Sequence, residues 1–223
     1  MTPPRILIGC ERSGIVRDAF LARGFDAWSC DILPAERPSN RHIIADIRTI
    51  LRDGWDMLAV MHPPCTRLCL SGLRWLHAPP KARTLAEMWR DLDEGAALFS
   101  DCWNAPIQHV AIENPKMHRH AKARILNYAE PAQIVQPHMW GDPVFKGIGL
   151  WLRDLPALAA NDPLAPPAPG TADHKAWSTI HRATGWQTQE QRRTERSRFF
   201  PGLAAAMAEQ WGDFILANQR AAA

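Results

Sequence analysis

The sequence lacks the features of a membrane-spanning or exported chain. It contains no uninterrupted apolar run of about 18 residues, the length that a transmembrane helix needs. Its first residues, Met-Thr-Pro-Pro-Arg, have neither the basic region nor the apolar stretch of a signal peptide. We therefore expect a protein that works in the cytoplasm and does not contact a membrane.

Cysteine is scarce and follows no metal-binding pattern. Five cysteines, an odd number, lie at positions 10, 30, 65, 69 and 102, and no two are spaced as Cys-x-x-Cys. This spacing predicts neither a disulfide framework nor a zinc site, so no metal is expected. Reduced thiols suit a cytosolic protein. Cys69 and Cys102 are expected to be core residues.

Short apolar runs alternate with helical patterns over the first 128 residues of this 223-residue chain. The order predicts one α/β domain with a mostly parallel sheet and helices on both faces. Strands are predicted at 5–10, 26–30, 42–45, 55–61, 108–112, 134–136 and 148–152, and helices at 15–23, 84–103, 121–128 and 201–218. Thr84 and Glu87 should form a capping box at the start of the second helix.

Polar features follow five of the predicted strands directly. They are the Ser13-Gly14 loop, Asp31, Asp46, Cys65 and Glu113. Ligands of parallel α/β sheets bind outside the carboxyl ends of the strands. We therefore expect these residues to meet at one edge of the sheet.

Cys65 and Glu113 are a suitable pair for chemistry on a pyrimidine ring. The apolar run 55–61 breaks at Pro63 and Pro64, which predicts a rigid loop that presents Cys65 at the sheet edge. A thiolate can add to C6 of the ring and make C5 nucleophilic. A carboxylic acid beside N3 would stabilise the charge that develops there.

The loop after the first strand could cradle a cofactor with a ribose and an adenine, such as NAD or S-adenosylmethionine. The dinucleotide fingerprint Gly-x-Gly-x-x-Gly does not occur in Gly-Cys-Glu-Arg-Ser-Gly at 9–14. That argues against NAD and leaves S-adenosylmethionine open. An acid after the second strand could bind ribose hydroxyls.

The order of these motifs resembles that of DNA cytosine-5 methyltransferases. Their Pro-Pro-Cys loop is matched at 63–65, and their Glu-Asn-Val motif is similar to Glu-Asn-Pro at 113–115. The chain is most similar to small, mostly phage- or prophage-borne proteins of this kind. Shared features are Cys-Glu-x-Ser-Gly at 10–14, His-Pro-Pro-Cys-Thr at 62–66, Gly-Asp-Pro…Lys…Leu-Trp-Leu at 141–152 and Arg-Ser-Arg-Phe-Phe-Pro-Gly-Leu-Ala at 196–204.

The resemblance implies a Rossmann-like S-adenosylmethionine-dependent methyltransferase fold in a bacterial or phage-infected cell. It makes Cys65 the nucleophile and Glu113 the partner of N3. The methionine end of the cofactor would lie against Cys10, Glu11, Ser13, Gly14 and Pro63, with Asp31 at its ribose and Asp46 at its adenine. Substrate contacts are expected from Asn114, Gln136, Lys146 and His62, although His62 also fits a packed loop histidine.

The resemblance also implies a catalytic domain at 1–153, a proline-rich linker and basic arm at 154–198, and a C-terminal helix at 199–223 that packs back on the catalytic domain. The family's Phe-x-Gly-x-Gly and Asn-x-Val motifs are missing, and only the arm stands where larger relatives carry a target-recognition region. Backbone contacts to DNA with a flipped-out cytosine are expected from Arg192, Arg193, Arg196 and Arg198.

Such a small arm predicts little sequence preference, or a protein partner or oligomer that supplies target recognition. Other activities stay open at this point. The same chemistry could act on RNA or on a free pyrimidine nucleotide, or transfer another group to C5. A methyltransferase-like fold could also bind nucleic acid or cofactor without turnover.

Overall fold

A computed structural model describes residues 2–63, 65–178 and 199–222. Its strands are β1 (Arg5–Gly9), β2 (Asp26–Asp31), β3 (His42–Ile44), β4 (Met57–Val60), β5 (His109–Asn114), β6 (Gln133–Val135) and β7 (Ile148–Arg153). Its helices are α1 (Ile15–Ala22), α2 (Leu85–Trp103), α3 (Arg119–Lys122), α4 (Ala172–Trp177) and α5 (Pro201–Ala222). Short 3-10 helices cover Ile47–Thr49, Cys65–Arg67, Leu70–Leu76 and Pro137–Met139.

The seven strands form one mixed sheet in the order β3-β2-β1-β4-β5-β7-β6. The first five strands pair in parallel, and β7 pairs antiparallel with both β5 and β6. Strands β1 to β3 are added towards one edge of the sheet, and β4 and β5 are added on the other side of β1. The gap between β1 and β4 is therefore the topological switch point, where open α/β sheets form their ligand crevice. The loops after β1 and β4 border that crevice, and they carry Cys10–Gly14 and Cys65.

Apolar side chains cover both faces of the sheet, which confirms the predicted α/β architecture. On one face Ile6, Ile8 and Ala59 pack with α1 and α5. On the other face Leu7 and Val60 pack with α2. Because both faces of the inner strands are buried, β4 and the middle of β1 (Ile6–Ile8) and of β5 (Val110–Ile112) consist of apolar residues.

Side-chain capping groups bind the first N–H groups of two helices, α2 and α5. The predicted capping box is confirmed at α2, where the Glu87 N–H donates to Thr84 and the Glu87 carboxylate accepts from the Thr84 N–H. At α5 the carboxylate comes from elsewhere in the chain. Asp142 accepts hydrogen bonds from the N–H groups of Gly202 (3.0 Å) and Leu203 (3.4 Å).

The predicted helix at 121–128 is wrong in its extent, because α3 ends at Lys122. The following backbone bonds to the end of α2 instead of continuing the helix. The Leu126 N–H donates to the Ser100 hydroxyl, and Trp103 donates to the carbonyl of Asn127, a residue in the left-handed region. Helix α4 and the 3-10 helix Leu70–Leu76 were not predicted.

The start of the proline-rich segment is packed against the domain. Leu158 is buried in the α5 side of the core, and its backbone exchanges hydrogen bonds with the Gln133 amide. Trp211 of α5 donates to the Pro156 carbonyl at 3.0 Å. None of the helices in the described part of the chain combines the length and hydropathy of a membrane span.

Candidate active site

The loop that carries Cys65 is held from both ends. Before it, the Met61 N–H donates to the Gly9 carbonyl at 3.0 Å, so the loop leaves the sheet beside β1. After it, the N–H groups of Leu68 and Cys69 donate to the Cys65 carbonyl at 2.9 and 3.0 Å. Pro63 is buried, and Pro64 lies outside the described residues. This geometry keeps the half-buried Cys65 at the carboxyl edge of β4.

A second set of backbone bonds ties the cysteine loop to the segment that follows β5. The Leu70 N–H donates to the Lys116 carbonyl at 3.1 Å, and the His118 N–H donates to the Leu68 carbonyl at 3.0 Å. Cys69 and Met117 form an antiparallel bridge between the two segments. Because β4 and β5 are also neighbours in the sheet, Cys65 and Glu113 are positioned by one continuous network.

Glu113 is almost completely buried and lies close to the Lys146 ammonium. Its Oε1 lies 3.6 Å from Lys146 Nζ, and no hydrogen bond reaches that oxygen from the described residues. Burial raises the pKa of Glu113, and the Lys146 ammonium only partly opposes this. The carboxyl group therefore holds its proton up to a higher pH than an exposed glutamate does.

Lys146 is placed by the sheet and by Gln136. Its backbone N–H donates to the Gln136 side-chain oxygen at 2.9 Å, and its ammonium lies 5.4 Å from the centre of the Phe200 ring. Gln136 therefore acts on the Lys146 backbone. Gln136 and Lys146, both predicted as substrate contacts, therefore lie at the site, and the Lys146 ammonium lies beside Glu113.

His62 was predicted to be either a substrate contact or a packed loop histidine. In the structure its ring is packed. Its ring lies 5.7 Å from the ring of Phe199, and its Nε2 is buried without a partner among the described residues. Burial, with a smaller effect of Lys146, lowers the pKa of His62 to about 3. The imidazole is therefore neutral, and its Nε2 is available to a ligand.

Asn114 follows Glu113 and is fully buried. Within the part of the chain that the structure describes, neither its Oδ1 nor its Nδ2 has a hydrogen-bond partner. Buried amide groups normally form hydrogen bonds. Two amide atoms without them, beside Glu113, are typical of a side chain that binds a ligand or a water molecule.

The loop after β1 is a tight, partly left-handed turn. Cys10 has φ 54° and Gly14 has φ 75°. Glycine suits position 14 because its φ lies in the left-handed region, and a Cβ there would also lie 2.2 Å from the Arg17 guanidinium, which would have to shift. Ser13 bonds to Glu11 and to the Ile15 N–H, both at 3.3 Å.

Glu11 is fully buried and serves the start of α1. Its carboxylate accepts from the N–H groups of Val16 at 2.7 Å and Arg17 at 3.3 Å. Burial raises its pKa to about 7, against these hydrogen bonds. Glu11 was predicted to contact the cofactor, and in the structure its carboxylate holds the loop through backbone hydrogen bonds to the first turn of α1.

Asp31 and Asp46 lie at the ends of β2 and β3, as predicted, in different environments. One oxygen of Asp31 accepts from the Leu33 N–H at 2.9 Å, and the other accepts no hydrogen bond from the described residues. Asp46 accepts from the Arg48 backbone at 3.0 Å and pairs with its guanidinium. The Arg48 side chain lowers the pKa of Asp46. Two apolar residues beside these acids are unusually exposed, Ile32 at 72% and Ile44 at 62%.

Cys69, four residues after Cys65, was predicted to be a core residue. The structure confirms that it is buried, and its Sγ lies 2.9 Å from the Ser71 hydroxyl at the start of the 3-10 helix Leu70–Leu76.

The predicted phosphate contacts Arg192, Arg193, Arg196 and Arg198 lie outside the described residues. The described chain on either side of them reaches the site. Trp177 contacts Phe145, next to Lys146, with ring centres 5.2 Å apart, and Phe199 contacts His62. A scan of protein-family models finds no match to this chain, and a search of curated proteins finds no significant match.

Proposed function

We propose that this protein is an S-adenosylmethionine-dependent methyltransferase that acts on C5 of cytosine in DNA through a covalent bond between Cys65 and C6. The observation that carries the proposal is the linked placement of Cys65 and Glu113. One backbone network positions both residues, and burial raises the pKa of Glu113, which favours the protonated form that can donate.

The residues have complementary roles in this reaction. Cys65 loses its thiol proton to solvent, and the thiolate adds to C6. The electron pair of the C5–C6 double bond is drawn through C4 towards N3, which takes a proton from Glu113. C5 thereby becomes nucleophilic. S-adenosylmethionine would supply the electrophilic methyl group and leave as S-adenosylhomocysteine. Water then takes the C5 proton, Cys65 leaves C6 as a thiolate and the N3 proton returns to Glu113, which restores the aromatic ring.

Lys146 adjusts the proton affinity of Glu113 in this scheme. A buried carboxyl with no cation nearby would hold its proton too tightly to give it up. The ammonium at 3.6 Å favours the carboxylate that remains after transfer. Gln136 supports this by holding the Lys146 backbone.

Two features of the β2–β3 edge fit an adenosine-containing cofactor in a Rossmann-like methyltransferase fold. Asp31 has one oxygen that accepts no hydrogen bond from the described residues and could bind ribose hydroxyls. The exposed Ile32 and Ile44 offer apolar surface to an adenine. Asp46 is already paired with Arg48, so an adenine amine would share its carboxylate with that guanidinium.

DNA is the proposed substrate because of the family resemblance and the arginines at 192–198. A cytosine in a duplex has to leave the base stack to reach Cys65. The arginines would contact phosphates, which position the duplex without reading its sequence. Target choice would then be weak or supplied by a partner or a second copy of the chain.

The test combines methyl transfer with trapping of the covalent bond. The purified protein is incubated with methyl-labelled S-adenosylmethionine and duplex DNA, single-stranded DNA, RNA or dCMP in parallel. We expect label on DNA, its loss in Cys65→Ala, and its retention in Cys102→Ala, which removes a buried thiol on α2. DNA that contains 5-fluorocytosine should form a stable adduct on Cys65, because fluorine cannot leave C5 as a proton does.

Other outcomes would redirect the proposal. Label only on RNA or on dCMP would assign the same chemistry to another substrate. Cofactor binding with neither transfer nor adduct formation would identify a binding module. DNA labelling that persists in Cys65→Ala would refute the role given to Cys65.

A further inference from the structure

A chain of hydrogen bonds connects the elements around the proposed cofactor site. It begins at Arg17 on α1, whose guanidinium is almost completely buried and donates from Nη1 to the Ser29 hydroxyl at 2.9 Å. The Ser29 oxygen lies 2.8 Å from His42 Nδ1, its partner across the paired strands β2 and β3. His42 Nε2 lies 3.0 Å from the Leu33 carbonyl, in the loop that leaves β2. The chain therefore joins α1, β2, β3 and that loop.

The groups in this chain determine the direction of each hydrogen bond and the tautomer of His42. A guanidinium can only donate, so the Ser29 oxygen accepts from Arg17 and has one hydrogen left to donate. That hydrogen goes to His42 Nδ1 at 2.8 Å, because the Arg41 carbonyl lies farther away, at 3.5 Å. A carbonyl can only accept, so the ring proton of His42 is on Nε2 and is donated to Leu33.

The loop after β2, residues 32–41, begins with the surface that an adenosine would contact. Asp31, with one oxygen that accepts no hydrogen bond from the described residues, stands directly before the loop, and Ile32 is largely exposed. Leu33 is held twice, since its N–H donates to Asp31 at 2.9 Å and its carbonyl accepts from His42. His42 therefore fixes the backbone that orients both the carboxylate and the apolar side chain.

The same loop is also tied to the turn after β1, residues 10–14. The Arg12 side chain donates to the Pro34 carbonyl at 3.1 Å, and the Glu36 N–H donates to the Arg12 carbonyl at 2.9 Å. The His42 side chain is the stiffer of the two side-chain ties. Its ring turns about two bonds and is held at Nδ1 by the buried Ser29, whereas the arginine side chain is long and loses more freedom when it is held.

We infer that His42 is a positioning residue for the cofactor, because its Nε2–H group holds the Leu33 carbonyl and so sets the loop after β2 against the turn after β1. This inference deepens the proposed function and rests on it for the identity of the ligand, an adenosine-containing cofactor. In this role His42 acts through the loop, and it takes no part in the transfer of the methyl group. Its loss should weaken cofactor binding by letting Asp31 and Ile32 leave their positions.

Two substitutions separate the functions of the two ring nitrogens. His42→Asn puts an amide near the position of Nδ1 and leaves the Leu33 carbonyl without its donor. His42→Gln puts an amide N–H near the position of Nε2 and restores that donor. The control is His109→Ala, which removes another hydrogen bond between a histidine and a carbonyl, from Nδ1 to Asp154 at 2.6 Å. His109 begins β5 and therefore lies at the opposite end of the sheet.

Each variant is measured in two ways. Isothermal titration calorimetry gives the Kd of S-adenosylmethionine and of S-adenosylhomocysteine. Rapid-mixing hydrogen exchange with mass spectrometry gives the exchange rate of residues 32–36 in the protein without ligand. The exchange measurement requires no cofactor, so it tests the contact between His42 and the loop independently of the proposed function.

We expect His42→Asn to raise both Kd values about tenfold, the effect of one lost hydrogen bond, and to speed the exchange of residues 32–36 by a similar factor. His42→Gln should restore most of the loss in both measurements, and His109→Ala should change neither. Unchanged exchange or unchanged Kd values in His42→Asn overturn the inference, and so does a His42→Gln variant that is no better than His42→Asn. A wild type that binds neither compound refutes the proposed function, and faster exchange in His42→Asn would then still support the hold of His42 on the loop.

Discussion

Replacing Gly202 by alanine tests how closely the start of α5 packs on Trp140 and Asp142, next to the active site. A Cβ at this position would lie 1.7 Å from the backbone oxygen of Trp140 and 2.9 Å from the Asp142 carboxylate. Real Cβ contacts are essentially never shorter than 3.0 Å, so the start of α5 has to move away by more than about 1 Å. Backbone cannot yield as a flexible side chain does, and the movement would separate Asp142 from the helix.

The expected cost follows from the bonds that this movement breaks. The N–H groups of Gly202 and Leu203 lose their charge-assisted bonds to Asp142, at about 1.5 kcal/mol or more each. Alanine favours helix by up to about 1 kcal/mol over glycine and offsets part of this loss. The net destabilisation is about 2 kcal/mol, which corresponds to about 4–8 °C in melting temperature for a chain of this size.

The assay is thermal and urea unfolding followed by circular dichroism, with methyl transfer measured on the same preparations. Transfer should fall as well, because Phe199, just before α5, packs on His62, and Phe200 lies beside Lys146. Gly24→Ala is the control, since nothing lies within 4 Å of a Cβ there and only its left-handed backbone, at φ 85°, is strained.

The direction of the change in melting temperature distinguishes the two effects of Gly202→Ala. Helix propensity alone predicts that Gly202→Ala stabilises the protein. An unchanged or higher melting temperature would refute the close packing of α5 on Trp140. If the melting temperature of Gly202→Ala falls no further than that of Gly24→Ala, the contact with the Trp140 carbonyl adds no destabilisation beyond that of backbone strain.

Three further changes test the site. Glu113→Gln should slow the chemical step about 100-fold or more in single-turnover assays with little change in DNA binding, because an amide cannot transfer a proton to N3. It should also abolish the fall in rate that the wild type shows as rising pH ionises Glu113, whereas an unchanged rate would exclude the proton-donor role. Lys146→Met removes the cation that lowers the pKa of Glu113, so this fall in the pH–rate profile should move to higher pH; a move to lower pH would contradict the ion pair. Arg192→Ala/Arg193→Ala should weaken DNA binding and flatten its dependence on salt, and an unchanged salt slope would remove these residues from the DNA contact.

Most strands and the long helices could be predicted because their signals are local. Apolar runs of four to seven residues, broken by glycine, proline or an acid, mark the strands, and the Thr84–Glu87 capping box marks the start of α2. The end of α3 could not be predicted. It depends on bonds between the backbone near Leu126 and the residues Ser100 and Trp103 of α2, which the sequence does not reveal as neighbours.

The strand-end residues were predicted as a group, and their individual environments were not. One oxygen of Asp31 accepts no hydrogen bond within the described part of the chain, whereas Asp46 is paired with Arg48 and Glu11 is buried at the start of α1. Nothing in the identity of an acid after a strand distinguishes these outcomes. They depend on which donors the neighbouring loops provide.

The sequence by itself determined the α/β architecture and the edge of the sheet where Cys65 and Glu113 lie. Only the tertiary structure decided which groups surround them. The antiparallel insertion of β7 beside β5 brings Lys146 to Glu113, and the bridge between Cys69 and Met117 ties the cysteine loop to the segment after β5. Apolar spacing and turn residues act over a few positions of the chain. The proton affinity of a buried side chain depends on burial and on charges that the fold brings from distant positions.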